Sequence, residues 1–166
     1  MPRRLLRDGR IVIDEWHYLA ETSIDGAAPL IVPFDRWIQT RDLWISRAGP
    51  LGVLLAPASE VERLAPDLSR LALIAAEFTG PGEGRGYSQA RLLRERLKFG
   101  GELRASGYVR QDQLFFMARC GFNSFELQES DFESAAAALS TFSAAYQPSN
   151  DAGLAYKLAS RLPAGS

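Results

Sequence analysis

The feature that most constrains the fold of this chain is an alternation between short apolar runs and longer segments with helical periodicity. Five apolar runs follow the first 28 residues, and a helical pattern follows each run. Short apolar strands that alternate with helices are typical of parallel βαβ units. The alternation therefore predicts an α/β fold with about five mostly parallel strands. The runs are LIV (30–32), LGVLLAP (51–57), RLALIAAEF (70–78), ELRAS (102–106) and SFEL (124–127).

The first residues differ from the rest, because their pattern is that of a β-hairpin. Asp8-Gly9 stands between the apolar segments Leu5-Leu6 and Ile11–Ile13. An Asp-Gly pair between two apolar runs is a strong signal for a two-residue hairpin turn. We therefore predict an N-terminal β-hairpin ahead of the βα units.

Two arrangements of the βα units fit this pattern. The favoured one is an open sheet in three layers, with helices on both faces. The alternative is a partial barrel-like arrangement with fewer units than the eight of a full barrel. In either case we divide the chain into a hairpin and lead-in (1–28), the βα units of a single α/β domain (29–148) and a polar C-terminal tail (149–166).

The helical segments have recognisable ends. Ser59 with Glu62 three residues later resembles a capping box, Ser88 is the expected N-cap of the following helix, and Gly121 is the expected C-terminal glycine of the next. The tail segment GLAYKLASRL has the pattern of a loosely attached sixth helix. The main predicted helices are PFDRWIQTRDLWISRA, SEVERLAPDL, SQARLLRERLKF, RQDQLFFMARC and DFESAAAALSTFSAAY.

Composition excludes several classes of function. The 166 residues carry a formal net charge of −1, which offers no broad basic field for nucleic acid. One cysteine, Cys120, and one histidine, His17, cannot form a disulfide framework, an iron–sulfur site or a cysteine-rich zinc site. We therefore expect no intrinsic cofactor and no metal. The absence of a signal-peptide or membrane-spanning pattern predicts a cytoplasmic protein with no membrane partner.

A glycine-rich loop, TGPGEGRGYS, lies between the third predicted strand and a helix. Ligands of parallel α/β folds bind at the carboxyl ends of strands, and a helix N-terminus attracts anions. We predict a small-anion site in which Gly84 and Gly86 allow close approach, Arg85 supplies charge and Ser88 supplies a hydroxyl. The alternative is that these glycines form only a flexible turn, because the spacing matches no established phosphate-binding motif.

Charged residues stand inside three successive apolar strands: Glu77, Arg104 and Glu126. Buried charges are rare unless they are paired, so these residues require an explanation. One explanation is an internal ladder of ion pairs. The other is a polar pocket at the end of the sheet, in which Arg104 joins Arg85 as a ligand-binding residue and Glu77 or Glu126 acts as a catalytic acid or base, with Tyr87 as a hydroxyl donor.

The helix after the glycine loop carries Arg91, Arg94, Arg96 and Lys98, opposed only by Glu95. Such a face is usually just solvated. It also fits a docking surface for an acidic protein, whose association would weaken as salt is added.

The run GRGYSQARLLRERLKFGGELRASGYVRQDQLFFMARCGFNSFEL, residues 84–127, resembles an uncharacterised bacterial family, domain of unknown function 934, which is labelled a predicted oxidoreductase linked to sulfite reduction. RDGRIVIDEW, LAPDLSRLALIAAEF and FSAAYQ are also similar to it. The resemblance implies a role in sulfur assimilation but assigns no catalytic residue.

Two hypotheses about function follow. In the first, the chain is an accessory protein of assimilatory sulfite reduction that binds sulfite reductase or its electron donor, with a small oxyanion as an additional candidate ligand. In the second, it is an oxidoreductase or another enzyme that acts on a small anionic substrate with a dissociable nicotinamide or flavin cofactor.

Overall fold

The structure is a computed structural model that describes residues 3–19 and 26–145. Its strands are β1 Arg4–Arg7, β2 Arg10–Ile13, β3 His17–Tyr18, β4 Leu30–Pro33, β5 Leu51–Leu55, β6 Leu71–Phe78, β7 Glu102–Gly107 and β8 Ser124–Phe125. Its α-helices are α1 Phe34–Gln39, α2 Arg41–Ile45, α3 Arg85–Arg91, α4 Leu114–Cys120 and α5 Phe132–Ala145. A 3₁₀ helix spans Val61–Arg70, a π-helical segment Leu92–Arg96 continues α3, and single 3₁₀ turns Gln111–Gln113 and Glu129–Asp131 precede α4 and α5.

All eight strands join one sheet in the order β2-β1-β8-β7-β6-β5-β4-β3. Neighbours from β3 to β8 are parallel, while β1 is antiparallel to both β2 and β8. The predicted α/β class and the N-terminal hairpin are therefore confirmed. Asp8 and Gly9 have φ angles of 54° and 80°, as a type I′ turn requires at both central positions.

The sheet is curled, because its two edge strands are adjacent in sequence. β2 and β3 lie at opposite ends of the strand order, yet only residues 14–16 join them. The four Cα–Cα steps from Ile13 to His17 span at most about 14 Å. A flat sheet of eight strands would be much wider, since strands are spaced by about 4.8 Å. This is the partial barrel that the sequence left as the alternative, and the open sheet is not formed.

The described helices pack on one face of the sheet, which we call the outer face. Residues of all five α-helices and of the sheet share one buried cluster there, which includes Trp37, Trp44, Leu93, Met117 and Phe132. The expected third layer is absent from the described residues for a topological reason. Strands β3 to β8 follow one another in sequence order, and right-handed crossovers in a sheet without a reversal of strand order place every helix on the same side.

The opposite, concave face is the inner face. Ile31, Leu73 and Ala75 are fully buried on it, and Trp16 and Tyr18 pack against them. The segment that joins β2 to β3 therefore covers this face in place of helices.

Several predicted helix ends differ in the structure. The long helix expected at 33–48 is divided into α1 and α2 at Thr40, whose φ and ψ are −136° and 48°. The predicted capping box is wrong, since the Ser59 hydroxyl accepts a hydrogen bond from the Ala56 N–H at 2.9 Å and the segment is a 3₁₀ helix. Gly121, with φ of 119°, ends α4 as predicted. The helix considered for the tail lies outside the described residues.

None of the helices in the two described ranges is long and apolar enough to cross a membrane.

Candidate functional site

Arg104 lies at the centre of the inner face, on β7, and its side chain is fully buried. Its guanidinium donates to both carboxylate oxygens of Asp14 at 3.0 Å, to Glu102 at 3.1 Å and to Glu126 at 3.2 Å. We call Arg104 and these three acids the Arg104 cluster. The ion-pair explanation of the charged strands therefore holds for Arg104 and Glu126, and Glu77 is not one of the partners.

Further residues donate hydrogen bonds to the acids of the cluster, whereas the buried Nε of Arg104 has no partner among the described residues. Arg3 donates to Asp14 at 3.1 Å, Arg7 donates to Glu102 at 3.3 Å, and the Ser124 hydroxyl donates to Glu102 at 2.8 Å. Burial opposes the charge of Arg104, but Glu102, Asp14 and Glu126 together outweigh it and raise the pKa of the guanidinium. Arg104 is therefore charged at any pH at which the protein is folded.

Tyr18 reaches the same cluster from the edge strand β3. Its hydroxyl donates a hydrogen bond to Oε2 of Glu126, the oxygen that also accepts from Arg104. Burial, followed by the negative charge of Glu126, raises the pKa of the Tyr18 phenol. The phenol thus stays protonated as a donor and holds Glu126 in one orientation.

A second polar row crosses the inner face at the carboxyl end of the strands. The register pairs Glu77 on β6 with Ser106 on β7. Continuing the register of β7 and β8 places Glu126 opposite Ser106, and the Glu126 N–H donates to the Ala105 carbonyl at 3.0 Å. We call Glu77, Ser106 and Glu126 the mouth row. The two predicted acid/base candidates therefore lie on either side of one serine.

The glycine loop has a different geometry from the predicted anion site. Helix α3 begins at Arg85 with Gly84 as its N-cap, so the prediction of Ser88 as the N-cap is wrong. Glu83 accepts from the Arg85 backbone N–H at 3.0 Å and from its guanidinium at 3.2 Å. The side-chain hydrogen bond from Arg85 also lowers the pKa of Glu83. An incoming anion would have to displace this carboxylate.

Gly86 and Tyr87 face the outer side of the sheet. A Cβ at Gly86 would lie 2.6 Å from the Phe78 ring, so this glycine permits close packing of α3 on β6. Tyr87 packs between Phe78 and Phe116, at centroid distances of 5.0 and 4.7 Å. Burial raises the pKa of the Tyr87 hydroxyl. Tyr87 is therefore on the face opposite to Glu77 and Glu126, and the catalytic trio considered from sequence is not assembled.

The predicted pocket is likewise divided between two faces of the sheet. Arg104 and Glu126 are in contact and Glu77 lies near them on the inner face, whereas Arg85 is exposed beside Glu83 at the start of α3 on the outer side. Both arginines already have carboxylate partners. An oxyanion would therefore have to compete with a carboxylate at both Arg85 and Arg104, which the sequence pattern did not indicate.

Substitution can distinguish the packing role of Gly86 from the role of Gly84 as the N-cap of α3. We expect Gly86→Ala to lower the free energy of unfolding by about 1–3 kcal/mol, because the new methyl group forces the Phe78 ring to move. Gly84→Ala is the control, since a Cβ there meets no atom within 4 Å, and it should cost only the difference between glycine and alanine at an N-cap, about 0.5–1 kcal/mol. Urea unfolding measures both. Equal losses would contradict a packing role for Gly86.

An exposed aromatic patch lies on the outer side, where α3 and α4 are in contact. Phe115 and Phe116 on α4 are 39% and 48% exposed, and Phe116 packs edge-on against Tyr87. We call Tyr87, Phe115 and Phe116 the aromatic patch. Phe115 also lines a cleft of about 770 Å³ formed by the loop after β7, Gln128, Asp131 and Ala138.

Sequence reasoning missed the partners that complete the inner face. Glu102 was detectable, because it stands two residues before Arg104 in one strand and so shares its face. Asp14 and Tyr18 were not, since they follow the hairpin and reach β7 and β8 only through the curl of the sheet. In the part of the chain that the structure describes, no group of three or more acidic, histidine or cysteine side chains is placed to hold a metal ion.

Comparison with known proteins agrees with the resemblance noted above. Residues 52–156 match a family described as bacterial protein of unknown function (DUF934). The chain belongs to this family. The matched region begins within β5 and includes β6 to β8, Arg104, the mouth row and the aromatic patch. Neither the curated proteins nor the solved structures contain a match to the chain.

Proposed function

We propose that this chain is an accessory protein of assimilatory sulfite reduction, which docks on sulfite reductase or its electron donor through the aromatic patch. The observation that carries the docking role is the exposure of two adjacent phenylalanines on α4. The link to sulfite reduction rests on the family resemblance of residues 84–127.

Exposed aromatic side chains are costly in water, and contiguous apolar patches mark interaction sites on soluble proteins. Phe116 is held by its edge-on contact with Tyr87, so the patch is ordered before a partner arrives. A pre-ordered aromatic anchor loses little conformational entropy on binding, which is one reason why aromatic residues dominate the binding energy of interfaces.

The charges around the patch indicate the kind of partner. Two exposed arginines share a helix face with residues of the patch, because Arg91 is four residues after Tyr87 on α3 and Arg119 is three residues after Phe116 on α4. An aromatic centre with a basic rim is complementary to an apolar depression surrounded by carboxylates. The basic helix predicted from sequence supplies part of this rim, although Arg94 is buried and donates to the carbonyls of Gly121 and Phe99.

Substitution of Phe116 tests the proposal. We expect Phe116→Ser to weaken binding to sulfite reductase or to the electron donor at least tenfold, because loss of a central aromatic anchor costs about 2 kcal/mol or more. The measurement is biolayer interferometry with each purified partner immobilised in turn, at low ionic strength. The full-length protein should also lose affinity when the salt concentration is raised.

Leu43→Ser is the matched control. Leu43 is 50% exposed on α2, so the change removes a similarly exposed apolar side chain outside the patch. It should leave the affinity unchanged. The proposal fails if neither partner binds the unaltered protein at low salt, or if Phe116→Ser binds as tightly as the control.

A further inference from the structure

The mouth row contains a carboxylate without a cation. Asp14, Glu102 and Glu126 each accept from at least one arginine at 3.3 Å or less. Glu77, which is half-buried, has no ion-pair or hydrogen-bond partner in the part of the chain described here. An ionised carboxylate in a partly desolvated position is stabilised by a positive charge, so Glu77 favours a cation rather than an anion.

Ser106 provides an independent sign of a ligand. The residue is 95% buried, with a relative exposure of 5%, and its register places it on the inner face directly beside Glu77. Its hydroxyl has no hydrogen-bond partner among the described residues. The hydroxyl oxygen is not among the fully buried side-chain atoms that lack a partner, so it is open to solvent on the inner face and available to a molecule that enters there.

Glu126 contributes a third acceptor. Tyr18 and Arg104 both bind Oε2, which leaves Oε1 without a hydrogen bond or ion pair within the described ranges. Neighbouring parallel strands are about 4.8 Å apart, so Glu77, Ser106 and Glu126 lie at successive strand spacings. Side chains on a concave face converge, and these three oxygens can therefore meet around one small group.

We propose that the mouth row binds a primary ammonium group. A primary ammonium carries one positive charge and three N–H donors, which matches one uncompensated carboxylate and three available acceptors: a Glu77 oxygen, the Ser106 hydroxyl and Oε1 of Glu126. This ligand class is opposite in charge to the small anion predicted from the glycine loop. The site also lies on the face opposite to the aromatic patch, so its test is independent of the docking proposal.

The test is a titration of the ¹⁵N-labelled full-length protein with ethylammonium chloride, at an ionic strength held constant with sodium chloride. We expect saturable shifts of the amide signals of Glu77, Ser106 and Glu126. Tetramethylammonium, which has no N–H donor, and potassium should produce no saturable shift at these residues. Equal responses to all three cations would overturn the proposal, and so would a response to sodium acetate in place of ethylammonium.

Two variants and a control complete the experiment. Glu77→Gln should weaken ethylammonium binding at least tenfold. Ser106→Ala should weaken it severalfold, and this variant tests the proposal if Glu77→Gln does not fold. Glu95→Gln removes an exposed carboxylate on the outer side, which pairs with Arg91 at 3.7 Å, and should leave binding unchanged. Absence of saturable binding to the unaltered protein, or equal binding by all variants, would refute the proposal.

Discussion

Arg104→Met is expected to lower the free energy of unfolding by about 3–5 kcal/mol, the cost of removing one partner from a buried ion pair. The physical reason is the surroundings of the side chain. Asp14, Glu102 and Glu126 would lose the guanidinium that they share and would repel one another in a site with little water. Methionine fills a similar volume, so the loss reports charge rather than packing. Urea unfolding monitored by tryptophan fluorescence measures it.

Arg85→Met is the matched control for this substitution. It also removes an arginine that contacts a carboxylate, but the Arg85 side chain is 62% exposed, and exposed ion pairs contribute little to the free energy of unfolding. We expect no measurable change in the unfolding midpoint. A stability of Arg104→Met equal to that of Arg85→Met would contradict the central role of the Arg104 cluster. If Arg104→Met folds, its affinity for sulfite and sulfate also tests the prediction that Arg104 binds an oxyanion.

Gly107→Ala is expected to cost about 3 kcal/mol, because two unfavourable effects add at one position. Gly107 has a φ of +81°, a conformation that costs other residues about 1–2 kcal/mol. A Cβ there would also overlap the Phe78 carbonyl oxygen, which is backbone and cannot rotate away, so β6 and β7 would have to separate. The Tyr108 N–H donates to that same carbonyl and would lose its acceptor. Thermal and urea unfolding both report the loss.

Gly80→Ala is the corresponding control. Gly80 also lies in a loop near the carboxyl ends of the strands, but a Cβ there meets no atom within 4 Å and its φ lies outside the positive range. Its stability should be close to that of the unaltered protein. If Gly107→Ala were equally stable, the close approach of β6 and β7 at Phe78 would not be a constraint on the fold.

Stability and the two proposed sites are linked through β7. This strand carries Glu102, Arg104 and Ser106 towards the inner face and Leu103 and Ala105 towards the outer core. A loss of register in β7 would therefore displace the Arg104 cluster, the mouth row and the packing below α4 together, because a shift of one residue exchanges the two faces of a strand.

Local sequence signals predicted the elements whose causes are local. The Asp8-Gly9 turn follows from two residues that tolerate positive φ, and the end of α4 follows from Gly121. The alternation of apolar runs and helical patterns was sufficient to predict the α/β class and the parallel strands. The charged residues of the candidate site were visible for the same reason, since Glu77, Arg104 and Glu126 stand out within apolar strands.

The tertiary structure decided what those charged residues contact. Asp14 is 90 residues from Arg104, and Tyr18 is 108 residues from Glu126, so no local pattern could pair them. Strand order and curl also placed Arg85 and Tyr87 on the outer side, away from Arg104. The sequence by itself determined the class of fold and the polar residues of its strands. Only the packing of the curled sheet determined their partners, because side-chain periodicity specifies that a strand has two faces but not which distant segment covers each face.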